Sequence, residues 1–198
     1  MLAALLSLGA SVCLQDVTES QARDTFAKEF KDKSPAARDV AVRRLVGLKE
    51  EKTLQLLATA LRDPEASIRK STAEVIATCT DVAGAAIKPL CSLLKDKKET
   101  KDVRGACLKA LGKAQYKADP IDALIQTISG ISEQDKDLFE FGAECTRLLN
   151  ELAGQDFGAG KETPDKWKKW WKENQARLAK EDQEKLVAYK KSASGKSK

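Results

Sequence analysis

Histidine is absent from the 198 residues. That removes the commonest general base, the usual Ser-His and Cys-His nucleophile pairs and most zinc sites. No Cys-x-x-Cys and no Gly-x-Ser-x-Gly occurs, so a thiol redox pair and a nucleophile elbow are both missing. Gly158-Ala159-Gly160-Lys161 ends like a phosphate-binding loop but fails as one. Gln155 stands where the first glycine is required, and Glu162 follows the lysine where Ser or Thr would hold magnesium. No pair of carboxylates is set apart by apolar neighbours. The chain is expected to be non-catalytic, with no metal and no small-molecule cofactor. Aromatics are also scarce, at 5%, and all three Trp fall between 167 and 171. A core would therefore be built from Leu, Ile, Val and Ala, and an apolar fraction of 42% can supply one.

Charge is uneven. The net +5 comes from 35 Lys and Arg against 30 Asp and Glu. From Lys161 to Lys198 there are 12 basic and 6 acidic residues, a net +6 that leaves 23 basic and 24 acidic for the rest. A near-neutral body with a basic end argues against nucleic acid as partner, which needs a basic stripe along the binding face.

What is present is a repeat. Leu54–Ala77 reads as a helix, a tight turn and a second helix. An apolar stripe (Leu54, Leu57, Ala58, Leu61) leads into Asp63-Pro64, and a second (Ile68, Ala73, Ile76) begins beside Arg69. The punctuation recurs: Asp32 with Arg38, Asp63 with Arg69, and Asp96 with Arg104 after a turn two residues longer. The Arg positions are 31 and 35 residues apart, the spacing of stacked helical hairpins. Aligned on them, apolar columns form: Phe26/Leu57/Leu90, Phe30/Leu61/Leu94 and Ala27/Ala58/Cys91 in the first helices; Ala37/Ile68/Val103, Val42/Ala73/Leu108 and Leu45/Ile76/Leu111 in the second. A shared stacked core requires such columns. The outward columns, Arg43/Glu74/Lys109 and Asp39/Lys70/Gly105, mix both signs. A fourth copy starts at Pro120, after Asp119, and its second helix spans about Ser132 to Leu152 without the repeated Arg.

Leu57 to Ala73 resembles the HEAT-repeat pattern, as does Ile87-x-Pro89-Leu90 with its proline inside the first helix. The resemblance covers about residues 20 to 153. It implies an all-α solenoid of about four hairpins over 17–153. It also implies a hydrogen-bonded ladder between neighbouring repeats made by Asp32, Arg38, Asp63, Arg69, Asp96 and Arg104. Such folds predict architecture better than function.

The two ends differ from the repeats. Met1–Leu14 is apolar and uncharged but, at ~1.5 Å per residue, only ~21 Å long as a helix, too short to span a bilayer. It resembles the apolar region of a secretory signal peptide ending near residue 13, although no Lys or Arg precedes it. A packed N-terminal helix and a lipid-bearing Cys13 are the alternatives. The expected location is periplasmic or secreted, or cytoplasmic if the segment packs. After a loop over 154–163, Thr163-Pro164-Asp165 opens a helix running to 190. Trp167, Trp170, Trp171, Asn174 and Leu178 share one face of it, opposite Lys168, Lys169 and Lys172. The Trp face is expected to close the last repeat over Phe139, Phe141 and Leu148; a partner surface or a membrane-surface helix are the alternatives. Residues 191–198 read as a disordered basic tail. Cys79, Cys91 and Cys107 replace small or apolar residues in their columns and read as buried thiols, with a disulfide as the alternative.

The function expected is a monomeric scaffold that binds a protein or peptide on the concave face of the second helices. Arg43, Glu74, Lys109 and Lys70 would make the contacts, with the three Trp as a further candidate surface. A lyase- or chaperone-type HEAT-like protein, and an envelope- or anionic-polymer-associated protein working through the basic tail, are the other classes.

Overall fold

The computed structural model describes residues 18–48, 50–79, 84–131 and 136–194; these contain nine α-helices and no strand. The segment 1–13 expected to be a signal peptide, the expected start of the third repeat at Asp81, that of the fourth second helix at Ser132, and 195–198 of the expected tail lie outside them.

α1 (Glu19–Glu29) opens on a capping box. Thr18 Oγ1 accepts from the Gln21 N–H at 3.3 Å, and Gln21 Oε1 accepts from the Thr18 N–H at 2.9 Å. α2 (Pro35–Arg43) starts on a proline, whose missing N–H would have no helical partner there. Ser34 occupies the cap position, but its side chain makes no capping bond. α3 (Glu51–Ala60), α4 (Ala66–Ala77), a single 3-10 turn at Gly84–Ala86, α5 (Ile87–Lys95) and α6 (Lys101–Leu111) follow. Thr100 caps α6 by accepting from the Val103 N–H at 3.3 Å. α7 (Ala118–Ser129), α8 (Lys136–Ala153) and α9 (Thr163–Ser194) complete the chain.

Contacts run in two rows. α2 packs on α4, α4 on α6 and α6 on α8; α1 packs on α3, α3 on the 3-10 turn before α5, and α5 on α7. The rows are joined where α1 meets α2, α3 meets α4, α5 meets α6 and α7 meets α8. The apolar columns fill the space between. Phe26, Leu57 and Leu90 are buried, as are Val42, Ala73 and Leu108, and Leu45, Ile76 and Leu111. Three columns are less complete: Phe30 and Ala37 are half-buried at the head of theirs, and in the Ala27/Ala58/Cys91 column Cys91 is buried, Ala58 half-buried and Ala27 exposed.

The three aspartates make the same turn. Asp32, Asp63 and Asp96 each accept, through Oδ1, the backbone N–H two residues on, at 2.7, 2.9 and 2.8 Å. The arginines then tie one turn to the next. Arg38 reaches Asp63 with a bidentate pair, Nε to Oδ2 at 2.7 Å and Nη2 to Oδ1 at 2.9 Å. Its Nη1 donates to the carbonyls of Asp32 and Lys33. Arg69 repeats this on its own turn, donating to the carbonyls of Asp63 and Pro64. Its outward partner, however, is Glu99 and not Asp96: Nε to Oε2 is 2.5 Å and Nη2 to Oε1 is 3.0 Å. The longer turn explains the exchange. Asp96 stays with the start of the turn and Glu99, five residues before Arg104, takes the place that Asp63 holds in the shorter one. Arg104 departs further. Its Nε donates to the Leu94 carbonyl at 2.9 Å, its guanidinium lies 4.7 Å from the centre of the Phe141 ring, and among the described residues no carboxylate pairs with it.

α9 differs from expectation in length, start and site of contact. It runs four residues beyond 190, because no proline or glycine interrupts it before Gly195. It packs on α7. Phe139 is left 73% exposed, and Phe141 is covered by Arg104 rather than by tryptophan. α7 begins at Ala118, ahead of Pro120, because Asp182 of α9 supplies the missing cap. Its Oδ2 accepts the N–H groups of Lys117 and Ala118 at 2.8 and 2.7 Å.

Two outcomes follow from these contacts. Burial alone would raise the Asp63 carboxyl, but bonds from Arg38 and the Glu65 N–H and the charges of Arg38 and Arg69 hold it below the ordinary range. Glu99 is lowered against the same opposing burial, by Arg69, the Thr100 N–H and the Arg69 charge. The stability these groups contribute is present above the unfolded carboxylate value of about 4 and is lost as pH falls through the folded values. Asp63→Ala should cost about 2–3 kcal/mol in urea unfolding at pH 7 and flatten the acid limb below about pH 4. Cys79, Cys91, Cys107 and Cys145 are free and buried, and burial pushes the thiols of Cys91, Cys107 and Cys145 up to about 12. Stability should fall as pH rises from about 9, where unfolded thiols ionise, toward the folded value. None of these four thiols should react with an aromatic disulfide reagent at pH 8 until the protein is unfolded.

Candidate interaction surface and end cavity

The second helices share a burial register that sets the geometry of the site. Arg43, Glu74 and Lys109 are exposed, each directly after two buried residues: Ala41 and Val42, Thr72 and Ala73, Cys107 and Leu108. α8 continues the pattern. Cys145 is buried, Thr146 half-buried, Arg147 exposed, and Leu148 and Leu149 buried. Arg147 is thus a fourth member of the outward column. In the same register, the position of Arg38, Arg69 and Arg104 falls on Gly142.

The four candidate contact residues are not equally free. Arg43 Nε bonds Asp39 Oδ2 at 2.7 Å and its Nη2 donates to Ser71 Oγ at 2.9 Å. Lys70 Nζ lies 2.9 Å from Asp102 Oδ2. Both bridge within or between the helices that carry them. Glu74 and Lys109 stand exposed between them. Arg147 has no carboxylate partner among the described residues.

Where Gly142 replaces the arginine, a cavity of about 470 Å³ opens between the end of α7, α8 and the loop before α9. Ile128, Ile131, Phe139 and Ala143 give it apolar walls, and Thr146, Arg147, Asn150 and Asp156 give it a polar side. On α8 the lining residues Phe139, Gly142, Ala143, Thr146, Arg147 and Asn150 fall at helical spacing, with small residues in the middle, so a trough is built into one helix face. A Cβ added at Gly142 would lie 3.2 Å from Ile131 Cδ1, so only glycine leaves this floor open without moving its neighbour.

The far wall is a loop turned back on α8. Gly154, at φ +64, ends the helix as glycine allows, with its N–H on the Asn150 carbonyl at 2.9 Å. Asp156 Oδ1 then accepts from Asn150 Nδ2 at 2.9 Å and from the Gly158 N–H at 2.7 Å. The Thr163 hydroxyl donates to the Gly158 carbonyl at 3.2 Å. It closes the loop and does not cap the helix. Asn150 Oδ1 is left buried with no hydrogen-bond partner among the described residues.

Tryptophan holds this wall. Trp167 is completely buried, with Phe157 edge-on at 4.7 Å and Trp170 edge-on at 5.5 Å. Trp170 and Trp171 are half-buried against the core. Trp167 is therefore withdrawn as a contact residue, while Trp170 and Trp171 keep part of their surface exposed. Among the described residues, no helix is long and apolar enough to cross a membrane, and no group of three or more Cys, Asp or Glu is placed to hold a metal.

The cavity was hidden from sequence reading because the fourth copy lacks the arginine that sets the alignment. The sign of it is the small-residue run Gly142-Ala143 between Phe139 and Thr146.

Trp167→Ala should cost about 3–5 kcal/mol in urea unfolding, and Trp170→Ala less, because it is only half-buried. Asp182→Ala should cost about 1 kcal/mol and speed hydrogen exchange at the Lys117 and Ala118 amides. Equal losses for the two Trp variants would contradict the burial order.

No protein-family model matches the chain, and no curated protein matches it either.

Proposed function

We propose that the chain is a short HEAT-like α-solenoid of four hairpins, its last hairpin covered by α9, that serves as a non-catalytic module for binding a protein or peptide. The observation that carries this reading is the outward column Arg43, Glu74, Lys109 and Arg147, one residue from each of four successive second helices. A row of evenly stepped side chains on packed helices offers an extended partner one contact per hairpin. The mixture of signs favours a polypeptide over a polyanion, which calls for a continuous basic track. Arg43 holds its orientation through Asp39 and Ser71, so it meets a partner with less side-chain entropy to lose. Glu74, Lys109 and Arg147 supply the free charges. The apolar, uncharged Met1–Leu14 supports export of the protein to the periplasm or beyond, as a signal peptide would direct.

The test is affinity capture from envelope extracts with the wild-type chain and with a Glu74→Lys, Lys109→Glu double variant. Both positions are exposed, so the fold should persist, as circular dichroism will check. Recovery of a specific protein should fall by roughly tenfold or more in the variant, given that rim and central charge contacts are worth ~1–3 kcal/mol. Equal recovery by both chains would overturn the reading. An N-terminus near residue 14 by intact mass, in protein secreted by an expressing bacterium, is the expected sign of export.

A further inference from the structure

We propose that the cavity at Gly142 receives the C-terminal residue of a protein partner, with its apolar side chain inside and its free α-carboxylate on Arg147. This rests on the interaction-module reading and names one of its contacts. The cavity offers three things at once. Its volume, about 470 Å³, falls within the range of sites that enclose small ligands, and its walls are Ile128, Ile131, Phe139 and Ala143. Its polar side is ordered, with Asn150 Nδ2 held on Asp156 Oδ1 at 2.9 Å. It is rimmed by one cation, Arg147, that no described carboxylate engages.

Asn150 Nδ2 is given to Asp156, which fixes the polar side of the cavity beside Arg147. Arg147 lies three residues before Asn150, and such pairs emerge on the same helix face about 5–6 Å apart at Cβ. A terminal amino-acid residue matches that layout. Its N–H and its carboxylate flank one Cα within a few ångströms, and its side chain leaves from the same atom. The guanidinium fork fits a carboxylate with two parallel bonds.

Other occupants match less well. A phosphate-bearing ligand would meet a single cation over an apolar floor. A free amino acid would bring an ammonium group whose natural counterion, Asp156, already accepts from Asn150 and Gly158 through Oδ1. An internal peptide segment would leave Arg147 without its anion. The exposed ring of Phe139, 73% accessible, stands at the mouth, where the residues preceding the terminal one would cross.

The experiment uses fluorescein-labelled hexapeptides ending in Leu, Ile, Val or Phe, each made with a free C-terminal carboxylate and with a C-terminal amide, titrated with the full chain by fluorescence anisotropy. At least one free-acid peptide should bind, and its amide should bind roughly tenfold or more weakly, the factor that about 1.4 kcal/mol represents. Arg147→Gln should bring acid and amide to equal affinity. Gly142→Leu should abolish both while α-helical circular dichroism is kept.

Equal binding of acid and amide to the wild-type chain would overturn the proposal, as would discrimination that survives Arg147→Gln. Free leucine binding as tightly as the Leu-ending peptide would reassign the site to a small molecule. No binding by any peptide would also overturn it. Any of these results leaves the interaction-module reading standing as long as capture still depends on Glu74 and Lys109.

Discussion

A bidentate bond from a guanidinium on one helix pair to a carboxylate on the next is the interaction on which the register of this molecule depends. Arg38 holds Asp63, and Arg69 holds Glu99. Each arginine also satisfies two carbonyls of its own turn. The turn is thereby fixed internally before it is fixed to its neighbour. Leu, Ile and Val surfaces pack well at several offsets, since dispersion and area burial are not directional. A buried planar fork has one solution. Replacing such a pair by apolar residues often leaves net stability little changed. Its contribution here is to choose a single offset between pairs, and the apolar columns then supply the bulk of the free energy.

The fourth pair departs from that scheme. Gly142 occupies the register position of the three arginines, and Arg104, the last of them, rests on the ring of Phe141 and the Leu94 carbonyl. Burial lowers its pKa. The space that a fourth guanidinium would have filled becomes a cavity, and the free polar groups of α8 line it. Position and chemistry thus come from the same substitution. Among the described residues no fifth pair covers this face, and glycine there leaves it shaped. α9 sets the limits of that face by anchoring Trp167 against Phe157 and so holding the loop that forms the far wall.

Much of the helical pairing was legible in the sequence, because the Asp and Arg punctuation and the apolar columns report the same period. The buried sets Val42/Ala73/Leu108 and Leu45/Ile76/Leu111 follow directly from aligning Arg38, Arg69 and Arg104. What failed did so for local reasons. The ladder implied by the HEAT resemblance would make Asp96 the acid for Arg69. A turn lengthened by two residues shifts which side chain arrives, and Glu99 with its extra methylene is the one that does. Helix propensity placed the start of α7 at Pro120. A capping acceptor from far along the chain moved it to Ala118, and no local pattern carries that information. Trp167, Trp170 and Trp171 were correctly placed on one face with Asn174 and Leu178, but a wheel states which residues share a face and not what the face meets. Gly142 was illegible for the simplest reason: a register defined by arginine says nothing where the arginine is gone.

The bond between Asp182 and the first amides of α7 spans 64 and 65 residues of sequence. It ties the start of the fourth pair to a segment of the chain that is made well after it. The first three pairs contain all of their clamping groups before α7 is made, and their contacts are short in sequence, which favours rapid closure. α7 has no such independence. Its opening turn takes its cap from a carboxylate made 64 and 65 residues after the amides it holds, so that turn is fixed only once α9 has folded back on it. For α7, α9 is thus part of its own beginning.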